Sequence, residues 1–159
     1  MFVAGCLLWV VSSMQPTTHN PQQTTRNMLF QAIDHPAISC HEPRKLAKWY
    51  CDHLGMQIVG DNGQEPASLL LGYDTDLRAG ATLELMPVKD PGGTPAAEMP
   101  RFCQGLRHFA VRVSDFDAAN EQLKQAGVEY LFEPVIAVGG GKIVSFRDPE
   151  GNEVQIVER

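Results

Sequence analysis

Two histidines, a glutamate and a glutamine stand at matched places along this 159-residue chain. His35 and His108 each lie in a short β-like run that leads into a helical segment, while Glu84 and Gln155 each lie in an alternating strand four residues after a glycine, Gly80 and Gly151. Subtracting positions, 108 less 35 gives 73 and 155 less 84 gives 71, so the four belong to one pattern used twice. Strand side chains alternate between faces. Leu83 and Leu85 therefore oppose Thr82, Glu84 and Met86; Phe109, Val111 and Val113 oppose His108, Ala110 and Arg112; Val154 and Ile156 oppose Glu153, Gln155 and Val157; and Ile38 opposes His35, Ala37 and Ser39. Two imidazoles and a carboxylate on one shared face are a divalent-metal donor set, and a glutamine carbonyl oxygen can serve as a fourth donor. Singly, each reads as a hydrogen-bonded strand histidine or a solvated carboxylate. The pairing across the repeat is what points to metal.

The elements that must position these residues repeat as well. Residues 44–54 place Leu46, Trp49, Tyr50 and Leu54 on one helical face, and residues 116–125 place Phe116, Ala119, Asn120 and Leu123 similarly. The helices stop at Gly55 and Gly127, 72 residues apart by subtraction, and extended stretches (MQIVG, VEYLF) follow. The unit strand–helix–strands thus occurs twice, which predicts two similar halves packed on one core rather than a solenoid. Residues 87–103, with prolines at 87, 91, 95 and 100, read as a surface linker because proline interrupts both helix and central strand. The predicted organisation is a leader over 1–28 and a single domain over 29–159, made of a first module (29–88), the linker (89–103) and a second module (104–159).

Four further features have chemical and plain readings. Gly139-Gly140-Gly141-Lys142 fails the phosphate-loop pattern, since Ile143 follows the lysine and no helix begins there. A glycine-rich loop beside the site is expected instead, with Lys142 a candidate contact for a substrate anion. Arg112 shares a face with His108 and is a candidate for a substrate carboxylate, although an ion pair to a neighbouring strand is the commoner fate of such a residue. Asp148-Pro149-Glu150-Gly151-Asn152 reads as a turn that sets the register of the last strand. Glu153 falls about 7 Å from Gln155 along the strand, too far to replace it as a ligand, and is expected as an exposed hairpin glutamate. Trp49 and Tyr50 are expected in the core.

Composition narrows the classes of function. With 43% hydrophobic residues and this length the chain can bury a core, and a balance of 19 acidic to 13 basic residues without a basic cluster argues against nucleic-acid or anionic-membrane partners. Cys6, Cys40, Cys51 and Cys103 form no C-x-x-C pair and read as reduced, as in a cytoplasmic protein. The apolar stretch Phe2–Val11 is too short to span a bilayer; residues 1–13 are a candidate export signal, but no Lys or Arg precedes the apolar run. Residues 15–27 are almost wholly polar and are expected to be a flexible leader.

Three segments in order carry a family likeness over residues 29–158: IDHPAIS followed by KWYCDHLGMQIV, GLRHFAVRVSDFDAA, and SFRDPEGNEVQIVE. The chain resembles the vicinal oxygen chelate superfamily, which includes glyoxalase I, bleomycin-resistance proteins and extradiol dioxygenases. The resemblance implies an α+β fold of two βαβββ modules, a cup-shaped mixed sheet with helices outside. It also implies one divalent metal ion (Ni, Zn, Co, Mn or Fe) held by His35, Glu84, His108 and Gln155. The glyoxalase-like pattern usually has Glu where this chain has Gln155, so the second carboxylate of glyoxalase-type proton shuttling is missing here. The expected activity is that of a metal-dependent, glyoxalase I-like lyase or isomerase acting through a metal-stabilised enediolate, with Glu84 as general base. The alternatives are a non-haem Fe(II) dioxygenase and a non-catalytic, antibiotic-type binding protein. A small-molecule substrate and a homodimer with sites near the interface are the expected partners.

Overall fold

A computed structural model describes residues 32–89, 92, 94–100 and 104–159. The leader and the candidate export signal, like Cys6 and Cys103, lie outside these residues. Ile33–Arg159 is one compact unit.

In chain order the elements are β1 (Ala37–Cys40), α1 (Pro43–Leu54), β2 (Gln57–Asp61), β3 (Leu69–Gly72) and β4 (Leu83–Pro87), then β5 (His108–Val113), α2 (Phe116–Gln125), β6 (Val135–Ile136), β7 (Lys142–Arg147) and β8 (Glu153–Glu158). They form two four-stranded sheets ordered β1-β4-β3-β2 and β5-β8-β7-β6. In each sheet the first strand pairs parallel with the last, and the remaining pairs are antiparallel. The fold is thus a pair of βαβββ modules with open sheets. A 3-10 turn, Ala96–Glu98, lies in the proline-rich connection.

Local chemistry sets the helix limits. Pro43 opens α1, where its missing N–H costs nothing, and Gly55 closes it at φ 67 in the left-handed region. Asp115 caps α2 by accepting from the Ala118 N–H at 2.9 Å. The entry to α1 is held from the other module, since the Glu150 carboxylate accepts the His41 and Glu42 amides at 2.7 and 3.0 Å.

The alternating strands bury their apolar faces under these helices. Leu46, Ala47 and Tyr50 of α1 share one contiguous core with Leu69, Leu71, Leu83 and Leu85, and with Phe116 and Leu123 of α2, Val111, Val144, Phe146, Val154 and Ile156. Burying a single leucine is worth about 1.5–3 kcal/mol. A one-residue slip of β4 would turn Glu84 inward and Leu83 and Leu85 outward, so the core fixes which face the donors occupy. Helix α1 also binds the second sheet: Trp49 lies 6.2 Å from the Phe146 ring, Tyr50 lies 5.9 Å from Phe109, and the Tyr50 hydroxyl donates to Asp148 at 2.6 Å. Tyr50 is in the core as expected and carries a polar bond between modules in addition, while Trp49 is half-buried and packs against the core.

Cys40 is buried with its thiol pushed up to about 12, first by burial and then by Glu150 and Asp148. A thiol held protonated in this way is inert packing. Among the described residues no helix is long and apolar enough to cross a membrane.

Candidate metal-binding site on the helix-free face

Strand pairing reproduces the repeat at the level of individual residues. In the first sheet Ala37 pairs with Glu84, and in the second Ala110 pairs with Gln155. The ladder beside β1 extends upstream of the strand, with the Thr82 and Glu84 amides donating to Asp34 and Pro36 carbonyls at 3.0 Å each. His35 therefore stands one alternation before Ala37, as His108 stands before Ala110. Both histidines, Glu84 and Gln155 leave the faces of their sheets that the helices do not cover.

In the first module the donors meet. His35 Nε2 lies 3.3 Å from Glu84 Oε2, with side chains 37% and 27% exposed. The other ring nitrogen, Nδ1, lies 2.7 Å from Asp34 Oδ1. A carboxylate on Nδ1 orients the ring so that Nε2 faces Glu84, the orienting arrangement typical of metal-ligating histidines, and a divalent ion binding there would take the place of the Nε2 proton. The Asp34 bond, followed by the charges of Glu84 and Asp34, raises the His35 pKa against the opposing effect of burial. The sequence signal for this partner is the adjacency of Asp34 and His35.

In the second module His108 is exposed and lies directly across from Glu153, while Gln155 is 6% exposed. Glu153 is also only 6% exposed. The expectation of an exposed hairpin glutamate is corrected: β8 is a central strand, flanked by β5 and β7, and it is buried from Glu153 to Val157, with His108 and Arg147 directly beside Glu153. Among the described residues no three His, Cys, Asp or Glu side chains gather closely enough to hold a metal, so within the chain His108 is not brought to the His35–Glu84 pair. The chemistry of the set nevertheless fits a divalent ion. His35 and Glu84 form a ready nitrogen–oxygen pair, His108 has an exposed ring on the same kind of face, and Gln155 contributes an amide oxygen.

Between the modules, β1 and β5, the first strands of their sheets, do not pair but line a seam of clefts. Ala37–Ser39 share a cleft with Leu106, Arg107 and Phe109 at one end, and Arg112 shares another with Thr82 at the other. Arg112 thus lies toward the His35 end of the seam, exposed, and has no ion-pair partner among the described residues. Beyond Ala37 and Glu84, Ser39 and Met86 line a cleft of about 540 Å³ with Thr94, Ala96 and Asn152, a volume that suits a small molecule. Lys142 is not brought to this face. It alternates with Ile143 onto the helix side of β7 and bonds both Asp117 oxygens of α2, at 2.7 and 2.8 Å.

Residues 32–156 match the profile of the Glyoxalase/Bleomycin resistance protein/Dioxygenase superfamily, and the chain belongs to that superfamily. The uncharacterized protein YwkD of Bacillus subtilis is 30% identical over 134 residues, 83% of this chain and 100% of YwkD. The crystal structure of a glyoxalase family protein from Enterococcus faecalis superposes with a TM-score of 0.64 at 24% identity, covering 82% of this chain and 100% of that one. The trypanothione-dependent glyoxalase I of Leishmania major superposes with a TM-score of 0.62 at 17% identity, covering 81% and 87%. At these identities the two solved structures establish the fold alone.

Proposed function

We propose that this protein is a metal-dependent lyase or isomerase of the glyoxalase I type, acting on a small molecule with two vicinal oxygens. The observation that carries the reading is the Asp34–His35–Glu84 array, in which a carboxylate-oriented imidazole meets a second carboxylate. His35 and Glu84 would hold the ion from the first module, and His108 and Gln155 from the second. A divalent ion supplies Lewis acidity to paired substrate oxygens. Glu84 is the residue proposed to take and return the substrate proton, since a histidine that ligates through one nitrogen and is held at the other has none left to serve as base. Ala37 and Ala110 present only methyl groups between the donors, which leaves room for the substrate. Arg112, at the His35 end, is the proposed contact for a substrate carboxylate.

The test is elemental analysis of protein purified without chelator, combined with a hemithioacetal isomerisation assay. About one bound ion per chain and turnover that is lost on chelation and restored by Ni²⁺ or Zn²⁺ are expected; bound metal without turnover removes the isomerase. In that case a second reading stands, because a neutral amide at position 155 leaves two histidines and a single carboxylate, the donor set of non-haem Fe(II) oxygenases. Iron-dependent oxygen consumption with a catechol would support it. Failure to bind any of these ions removes both enzyme readings and leaves the non-catalytic, ligand-binding role known in the superfamily.

The proposed assembly is a homodimer. Sedimentation at micromolar concentration should give twice the chain mass, and a monomer there defeats the proposal.

A further inference from the structure

Ser145 on β7 lies directly opposite Gln155 on β8, so the two side chains leave the same face with Cβ atoms about 5 Å apart. Ser145 is wholly buried, and its hydroxyl has no hydrogen-bond partner among the described residues. In the first module the place opposite Glu84 belongs to Leu70. The halves therefore differ at two adjacent positions together: Glu faced by Leu in one, Gln faced by Ser in the other.

Hydrogen-bonding capacity accounts for the pairing. A carboxylate only accepts and offers a ligating oxygen whichever way it turns, so an apolar neighbour leaves none of its atoms in need. An amide has one oxygen and an NH₂ group with two donors, and only the oxygen can face a cation. A buried amide that aims its oxygen at an ion must find an acceptor for the nitrogen on its other side. A serine hydroxyl carries two acceptor lone pairs, and this one is unengaged.

We propose that Ser145 is a positioning residue whose Oγ accepts from Gln155 Nε2 and so presents Gln155 Oε1, rather than the nitrogen, to the divalent ion. The inference rests on the metal reading above. It assigns Ser145 a role in this chain that follows from the Glu-to-Gln departure.

The experiment measures Zn²⁺ and Co²⁺ affinity of the full chain by competition with a chromophoric chelator, together with the Co²⁺ absorption spectrum. Ser145→Ala should bind about 10-fold more weakly, the scale of losing an outer partner of a ligand, and should shift the Co²⁺ bands. The same substitution made in a Gln155→Glu background should change neither, because a carboxylate needs no donor partner there. Equal losses in both backgrounds, or no loss in the Gln155 background, overturn the inference. Unfolding midpoints for all four proteins separate a general loss of fold from a loss of metal. Wild type that binds neither ion removes the metal reading and this inference with it; wild type that binds while Ser145→Ala binds equally well removes this inference alone.

Discussion

His35→Ala should weaken Zn²⁺ or Ni²⁺ binding by roughly 100-fold or more, since removing a ligand costs more than the 10–100-fold typical of removing a ligand's partner. The expectation follows from how the ring is held. Nδ1 is engaged by Asp34 at 2.7 Å and Nε2 faces Glu84 at 3.3 Å, so this ring is already oriented toward the proposed ion. His53, in the last turn of α1 with its ring 5.0 Å from Trp49, is the matched control: His53→Ala should leave metal affinity unchanged. Glu84→Gln separates two roles. It retains an oxygen donor but has no basicity, so hemithioacetal turnover should fall by at least the 10²-fold attributed to a general base while some metal is kept. Metal content is read by elemental analysis and affinity by chelator competition. Undiminished binding by His35→Ala would put the ion elsewhere and sink the proposed site.

The helices and the faces of the strands were legible in the sequence because both depend on local periodicity. Leu46, Tyr50, Phe116 and Leu123 follow the helical spacing, and Leu83 and Leu85 alternate with Glu84, so the inside and outside of each element could be read from one line of text. The 71–73 residue offsets also have their counterpart in the structure, where Ala37 faces Glu84 and Ala110 faces Gln155 in the same kind of parallel pair. What stayed hidden are the choices a long side chain makes among partners far away in sequence. Lys142 pairs with Asp117 rather than turning to the seam, because β7 alternation sends it to the α2 side. Glu153 is buried because strand order, which periodicity does not encode, places β8 in the middle of its sheet. Ser145 carries no signal in the sequence, since a lone serine in a strand acquires meaning only when the residue opposite it is known.

The acidic turn at 148–152 was read as a chain reversal, and its second role leads to the largest expected effect on stability. Asp148, only 5% exposed, accepts the Tyr50 hydroxyl at 2.6 Å, the Glu150 and Asn152 amides at 2.9 Å each, and the Asn152 side-chain amide at 2.8 Å. Among the described residues no cation pairs with it, and four donors take the place of water around the charge. Asp148→Ala should therefore destabilise the fold by about 3 kcal/mol or more, since each buried donor left without a partner costs about 1–3 kcal/mol. Tyr50→Phe, which removes one donor of the four and leaves the carboxylate satisfied by the others, should cost about 1–2 kcal/mol. The two changes act on one bond, so the double variant should fall short of the sum of the singles. Chemical denaturation checks all three, and an Asp148→Ala variant within about 0.5 kcal/mol of wild type, the range of ordinary surface changes, would refute the docking role. The consequence reaches the site, because Glu150 in the same turn holds the His41 and Glu42 amides at the end of β1. A loosened turn frees that end of the strand and the α1 entry together, so Asp148→Ala should weaken metal binding although it contributes no ligand. Tyr50→Phe, with the turn intact, should bind metal as wild type does.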